Sequence, residues 1–182
     1  MRLLIVDEIN NNAEIILQYI QQNPGCYLRQ IKRDLNMPMG TVQYHLDSLE
    51  KMGKINSEKH GFHRFYFPIG IFEEHQKNIL KILNQETARE ILLFIIETQR
   101  PTQLDIAEYV KISAPSVNWH IGRLVEFELI NEIKDGKFKR YKFVGNSGSI
   151  VKLLKNYHPT LWHNWSNRLA EMFLSLGLEE KK

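Results

Sequence analysis

A shift of 75 positions lays much of this chain onto itself. It brings Ile16, Ile20, Ile31, Val42, His45, Leu49 and Ile55 onto Ile91, Ile95, Ile106, Val117, His120, Leu124 and Ile130. Gly61 then meets Gly136, and one inserted residue later the run Arg64 to Phe67 meets Arg140 to Phe143. Apolar positions that recur at a fixed offset mean two copies of one structural unit, each about sixty residues long. A chain of 182 residues has room for two such small domains, each near the lower size at which one core is self-sufficient.

Both copies follow the same order of periodicities. In the first, Ile15, Ile16, Tyr19 and Ile20 put an apolar stripe on a helix that stops at Asn23-Pro24-Gly25. Leu28, Ile31 and Leu35 mark a short second helix. Val42, Leu46, Leu49 and Met52 mark a third, with Pro38 where a first turn tolerates it and Gly53 at the end. The period then changes to alternation, with strands expected over 54–58 and 63–67 around a Lys59-His60-Gly61 turn.

In the second copy, Thr87 and Glu90 have the spacing of a capping box, and Ser113 stands where it can cap the third helix. Strands are expected over 130–133 and 138–143, with a tip at 134–137. Three helices followed by a hairpin make a winged helix-turn-helix. The expected fold is therefore mainly α with small β-hairpin wings (α+β). It comprises a first winged domain over 1–69, a linking helix over 70–86, a second winged domain over 87–145 and a C-terminal helical segment over 146–182.

Within that last segment, 146–149 reads as a loop. Leu161, Trp165, Leu169, Met172, Phe173 and Leu176 form the stripe of a final helix, a candidate dimerisation surface. Trp162 and Trp165 lining a small-molecule pocket is the lesser reading.

Composition removes several function classes. Hydrophobic residues make up 43% and charged residues 25%, the balance of a folded chain. The single cysteine, Cys26, allows no internal disulfide, which suits a reducing cytoplasm. The opening apolar run meets Asp7 and Glu8 too soon for a signal peptide, and the apolar stretch near 91–96 is too short for a bilayer. Glycine-rich phosphate loops, paired Cys/His sets and nucleophile contexts are missing, so neither catalysis nor a cofactor is expected. His60 and His63 lack the cysteines and carboxylates of a metal site, and His158 and His163 fall on different helix faces. The net charge is only +3, so the case for nucleic acid rests on where the charges lie.

The third helix of the first copy, Gly40 to Gly53, followed by Ile55 and a Gly-x-x-Arg-x-Tyr wing, resembles the recognition helix and wing of ArsR/MarR-type regulators. The second copy keeps Ser116 to Leu124 but has Phe127-Glu128-Leu129 where such helices end in glycine. The tandem arrangement, with its trailing Tyr157 to Leu169 segment, is similar to archaeal double winged-helix regulators. That resemblance implies transcriptional control through double-stranded DNA.

A helix of this kind lies in the major groove with its apolar face on its own domain. In the first copy that leaves Met39, Thr41, Gln43, Tyr44 and Asp47 toward solvent. Gln43 has the donor and acceptor for an adenine edge, while Thr41 and Tyr44 suit a phosphate or a thymine methyl. The matching set is Ala114, Ser116, Asn118, Trp119 and Gly122, with Arg123 one step on. Asn118 suits adenine and Arg123 phosphate. Cations for the phosphate backbone are Arg29, Lys32 and Arg33 on the first copy's second helix, Lys59, His60, His63 and Arg64 on its wing, and Lys134, Lys137, Lys139 and Arg140 on the other wing. Two readings stand for some of these residues. His45 and His120 contact DNA or are held within their domains, and Arg64 and Arg140 reach phosphate or lie along their sheets. The second domain binds DNA or protein.

Overall fold

The computed structural model describes residues 2–144, 147–163 and 166, with side chains from residue 11 onward except that of Ser147. The chain divides into two compact units, Met1–Lys81 and Ile82–Lys182.

The first unit opens with helix α1 (Arg2–Gln22), which ends where Pro24 and Gly25 remove the means to continue. Next come strand β1 (Cys26–Tyr27), helix α2 (Leu28–Asp34) and helix α3 (Met39–Lys51). The wing is strand β2 (Ile55–His60) and strand β3 (His63–Pro68), paired antiparallel from Ile55↔Pro68 to His60↔His63. Both strands run further than alternation alone suggested. Lys59 and His60 belong to β2, and the turn consists of Gly61 and Phe62.

β1 was not legible in the sequence. It pairs with β3 through Cys26↔Tyr66 and Tyr27↔Phe65, giving the sheet order β1-β3-β2. Two residues carry no period, so only the tertiary partner makes them a strand. Ile16, Ile20, Cys26, Ile31, Val42, Leu46, Leu49, Ile55 and Tyr66 form one buried cluster that joins all three helices to the sheet.

Helix α4 (Glu74–Leu83) follows, and its lysines meet the wing strand. Glu58 on β2 accepts a hydrogen bond from Lys77 at 2.6 Å, and Lys81 approaches its other oxygen at 2.5 Å. Burial raises the Glu58 carboxyl, but the two ammonium groups outweigh that and hold it below the usual range.

The second unit repeats the plan with helix α5 (Glu86–Thr98), helix α6 (Gln103–Val110), helix α7 (Ala114–Glu126), strand β4 (Ile130–Asp135) and strand β5 (Phe138–Phe143). Ile91, Ile95, Ile106, Val117, Leu124 and Ile130 are buried, as are their counterparts in the first copy. The backbone repeats as well. Asn36 and Lys111, 75 apart, both adopt positive φ, 50° and 55°, where α2 and α6 end. A single bridge, Thr102↔Arg140, stands in place of β1.

The capping expectation at Thr87 and Glu90 is corrected. The N-cap of α5 lies two residues earlier, at Gln85, which makes no side-chain cap bond. The capping box lies instead on α6, where Thr102 accepts from the Asp105 amide and Asp105 accepts from the Thr102 amide. Ser113 does cap α7, accepting from the Ser116 amide.

A second correction concerns 146–149. Helix α8 (Ser147–Tyr157) starts inside that stretch and buries Ile150, Leu153 and Leu154. Serine and glycine favour a loop locally, and burial of an i, i+3, i+4 face overrides the preference. Residues 159–163 are helical and Leu161 and Trp162 are half-buried, whereas Trp165, Leu169, Met172, Phe173 and Leu176 lie outside the described residues.

Candidate nucleic-acid interface

Because α3 buries Val42, His45, Leu46 and Leu49, it must expose the opposite face. That face carries Met39 (38% exposed), Gln43, Tyr44 (62% exposed) and Asp47, while Thr41 is half-buried. Gln43 and Asp47 form one wall of an open groove of about 690 Å³. Tyr27, Leu28 and Arg29 from the start of α2 and Phe62, His63, Arg64 and Tyr66 from the wing complete it. β1 builds this groove, because its pairing with β3 sets the start of α2 beside the wing. The Tyr27 and His63 rings lie 5.1 Å apart across it.

The groove has two guanidinium groups against one carboxylate. Arg64 approaches Glu50 only to 3.7 Å and remains half exposed, so it is loosely held. Arg29 and Lys59 are exposed. Arg33 is exposed too, but its Nε donates to Asp34 at 2.7 Å, which places a counter-charge beside it. Burial raises the Asp34 carboxyl, but hydrogen bonds from Arg33 and from the Tyr19 hydroxyl (2.6 Å) bring it below the usual range.

His45 is corrected as a base contact. It is 3% exposed, its ring meets Tyr44 edge-on at 5.2 Å, and burial depresses its pKa, so it is a neutral packed imidazole. His120 repeats the arrangement, half-buried and edge-on to Trp119 at 4.8 Å, with burial and then the Arg123 charge depressing its pKa.

The second unit arranges its cations differently. Ser116, Asn118 and Trp119 are exposed on α7, although the Ser116 hydroxyl is shared with Ser113 at 2.9 Å in the cap. Arg123, expected to reach phosphate, is 6% exposed. Its Nη1 donates to Gln85 Oε1 at 2.5 Å, and its guanidinium lies 4.8 Å from the centre of the Trp119 ring. It braces that indole from within. On the wing, Lys139 pairs with Glu132 at 2.8 Å, and Arg140 pairs with Asp135 at 2.5 Å while donating to the Arg100 carbonyl at 2.9 Å. Lys134 and Lys137 are exposed. Where the first copy has Arg29 and Arg33, the second has Leu104, 65% exposed, and Glu108.

Sequence reasoning missed Tyr27, Leu28, Tyr66 and Phe62 as groove residues. The first three depend on β1, which leaves no periodic trace. Phe62 was detectable as an apolar residue beside a turn glycine.

A family profile described as an N-terminal HTH domain matches residues 10–80, and one described as winged helix-turn-helix DNA-binding matches residues 84–130. The chain consists of two tandem helix-turn-helix domains, followed by C-terminal helices. The chain is similar to the uncharacterized HTH-type transcriptional regulator MJ1398 of Methanocaldococcus jannaschii, at 29% identity over 140 residues. That match takes in 74% of this chain but only 35% of the relative's length. A second regulator of that organism, MJ1325, is 28% identical over 71 residues, covering 39% of this chain and 76% of its own. Among solved structures, an ArsR-like transcriptional regulator from Rhodococcus sp. RHA1 superposes with a TM-score of 0.37 at 20% identity, over 54% of this chain and 89% of its own. Among the described residues no group of three or more His, Cys, Asp or Glu side chains is placed to hold a metal ion, and no helix is long and apolar enough to cross a membrane.

Proposed function

We propose that this tandem helix-turn-helix protein is a sequence-specific, double-stranded DNA-binding transcriptional regulator of the cytoplasm, without catalytic activity, whose first unit does the reading. The observation that carries this is the groove, where Gln43 on α3, Arg29 on α2 and Arg64 on the wing border one concave surface. α3 is exposed along the face opposite its core and suits the major groove. Gln43 then reads an adenine edge, Tyr44, Thr41 and Met39 supply nearby contacts, and Arg29, Lys59 and Arg64 hold phosphates. Arg33 and His63 stand behind them.

A specific observation favours a second reading for the second unit. Arg123, Lys139 and Arg140 have internal partners, and Leu104, Glu108 and Trp119 occupy the surface instead. That unit suits a protein contact, with Asn118, Lys134 and Lys137 among its remaining candidates for DNA. The C-terminal segment is the proposed homodimer element, because regulators that read paired half-sites gain from two-fold symmetry.

Fluorescence anisotropy of the full chain on duplex DNA across a salt series tests the first reading. Three phosphate contacts predict a slope of log affinity against log salt of about −3. Gln43→Ala weakens preferred sites more than random duplex, whereas Arg64→Ala weakens both alike and flattens the slope by about one. A weak response without salt dependence would instead favour a protein-interaction scaffold.

A further inference from the structure

We infer that Phe62 is a wedge that enters a base step of the bound duplex and bends it; this rests on the DNA-binding reading of the first unit. The ring stands at the tip of the first wing and is 99% exposed. The ribbon behind it is fully paired up to His60↔His63, so the loop is only Gly61 and Phe62. Gly61 takes φ +56°, a left-handed conformation that glycine adopts without strain and that lets so short a turn close. The ring is thus carried on a stiff, narrow support that its own domain does not cover.

Two further observations say what covers it. First, Phe62 borders the same groove as Gln43, Arg29 and Arg64, so it faces the side on which α3 would meet DNA. Second, the other wing has Gly136 and Lys137 at its tip. An ammonium there suits phosphate, whereas a benzyl ring has no attraction for an anion and needs an apolar slot between anionic walls. A duplex provides that slot in the faces of its bases. With α3 in the major groove, the wing tip is slim enough for the adjoining minor groove, about 6 Å wide. Apolar side chains inserted there part a base step and kink the helix toward the major groove. Pyrimidine–purine steps unstack most readily, so Phe62 adds a preference for such a step that no hydrogen bond records.

The test uses the full chain and 30-base-pair duplexes recovered from a random pool by the protein itself, with 2-aminopurine at successive adenines and a dye pair at the ends. Wild type should raise 2-aminopurine emission several-fold at one step and shorten the end-to-end distance. Phe62→Trp should retain both effects. Phe62→Ala should abolish both and lose about tenfold in affinity, the scale of one stacking contact, with an unchanged salt slope. Anisotropy that reports binding while emission and bend are the same in wild type and Phe62→Ala overturns the wedge and leaves DNA binding standing. Wild type that fails to bind any recovered duplex overturns both.

Discussion

The two third helices end alike in space and differently in chemistry, which gives a paired test of backbone strain. Gly53 follows α3 with φ +66°, its amide bonding the Glu50 carbonyl at 3.0 Å while Lys54 bonds the Leu49 carbonyl. Glu128, 75 positions on, follows α7 with φ +56° and the same two bonds, to Val125 and Leu124. A left-handed residue with a side chain costs roughly 1–2 kcal/mol, and glycine's greater freedom in the unfolded chain returns about 0.5–1 of it. Glu128→Gly should therefore stabilise the second unit by about 0.5–1 kcal/mol. Gly53→Ala should destabilise the first by about 1 kcal/mol. A Cβ built on Gly53 meets nothing within 4 Å, so that cost is conformational and not steric. All three tryptophans, Trp119, Trp162 and Trp165, lie in Ile82–Lys182, so indole fluorescence reports the second unit alone. Its thermal midpoint should rise by about 2–6 °C in Glu128→Gly, while calorimetry follows the first unit in Gly53→Ala. A lower fluorescence midpoint in Glu128→Gly would refute the reasoning.

The remaining predictions concern buried groups. Burial, and then the charge of Arg89, take His158 from the ordinary 6.5 to about 4. The unfolded chain takes up that proton first, so the second unit should lose stability as pH falls from 6.5 toward 4, by at most about 3 kcal/mol. Urea titrations at pH 7 and 4.5 read this loss, and His158→Gln should remove most of it; an unchanged slope in that variant would assign the loss elsewhere. Glu58→Ala strips the carboxylate from Lys81, whose side chain is 5% exposed, and should cost the first unit about 2–3 kcal/mol in denaturant titrations by circular dichroism. A change below about 0.5 kcal/mol would show that the lysines are held well enough without Glu58, with Glu74 and Asn78 among their other partners. Cys26 is fully buried, and burial pushes its thiol well up, so a maleimide should label it only after unfolding.

Elements with a strong local period were legible in the sequence, as were the copies they form. The stripes of α1, α3, α5 and α7 and the alternation of both wings lie within short windows, and each marks which side faces a core. Gln43, Tyr44 and Trp119 followed from the same logic, because a helix that buries one face exposes the other. β1 and α8 did not follow: a two-residue strand exists only through β3, and the start of α8 runs against local preference.

The amino-acid order by itself determined that there are two units, which faces they bury and which helices they present. Hydrophobic periodicity encodes all of this, and it acts between near neighbours. Tertiary structure alone decided which cations stay available. Arg123 is occupied by Gln85, 38 residues away, and Arg140 by the Arg100 carbonyl, 40 residues away, while Arg29 and Arg64 border an open groove. A charge is satisfied by whatever lies within a few ångströms in space; Arg140 also has Asp135 close by in the chain, but nothing in the sequence neighbourhood of Arg123 records its distance to Gln85.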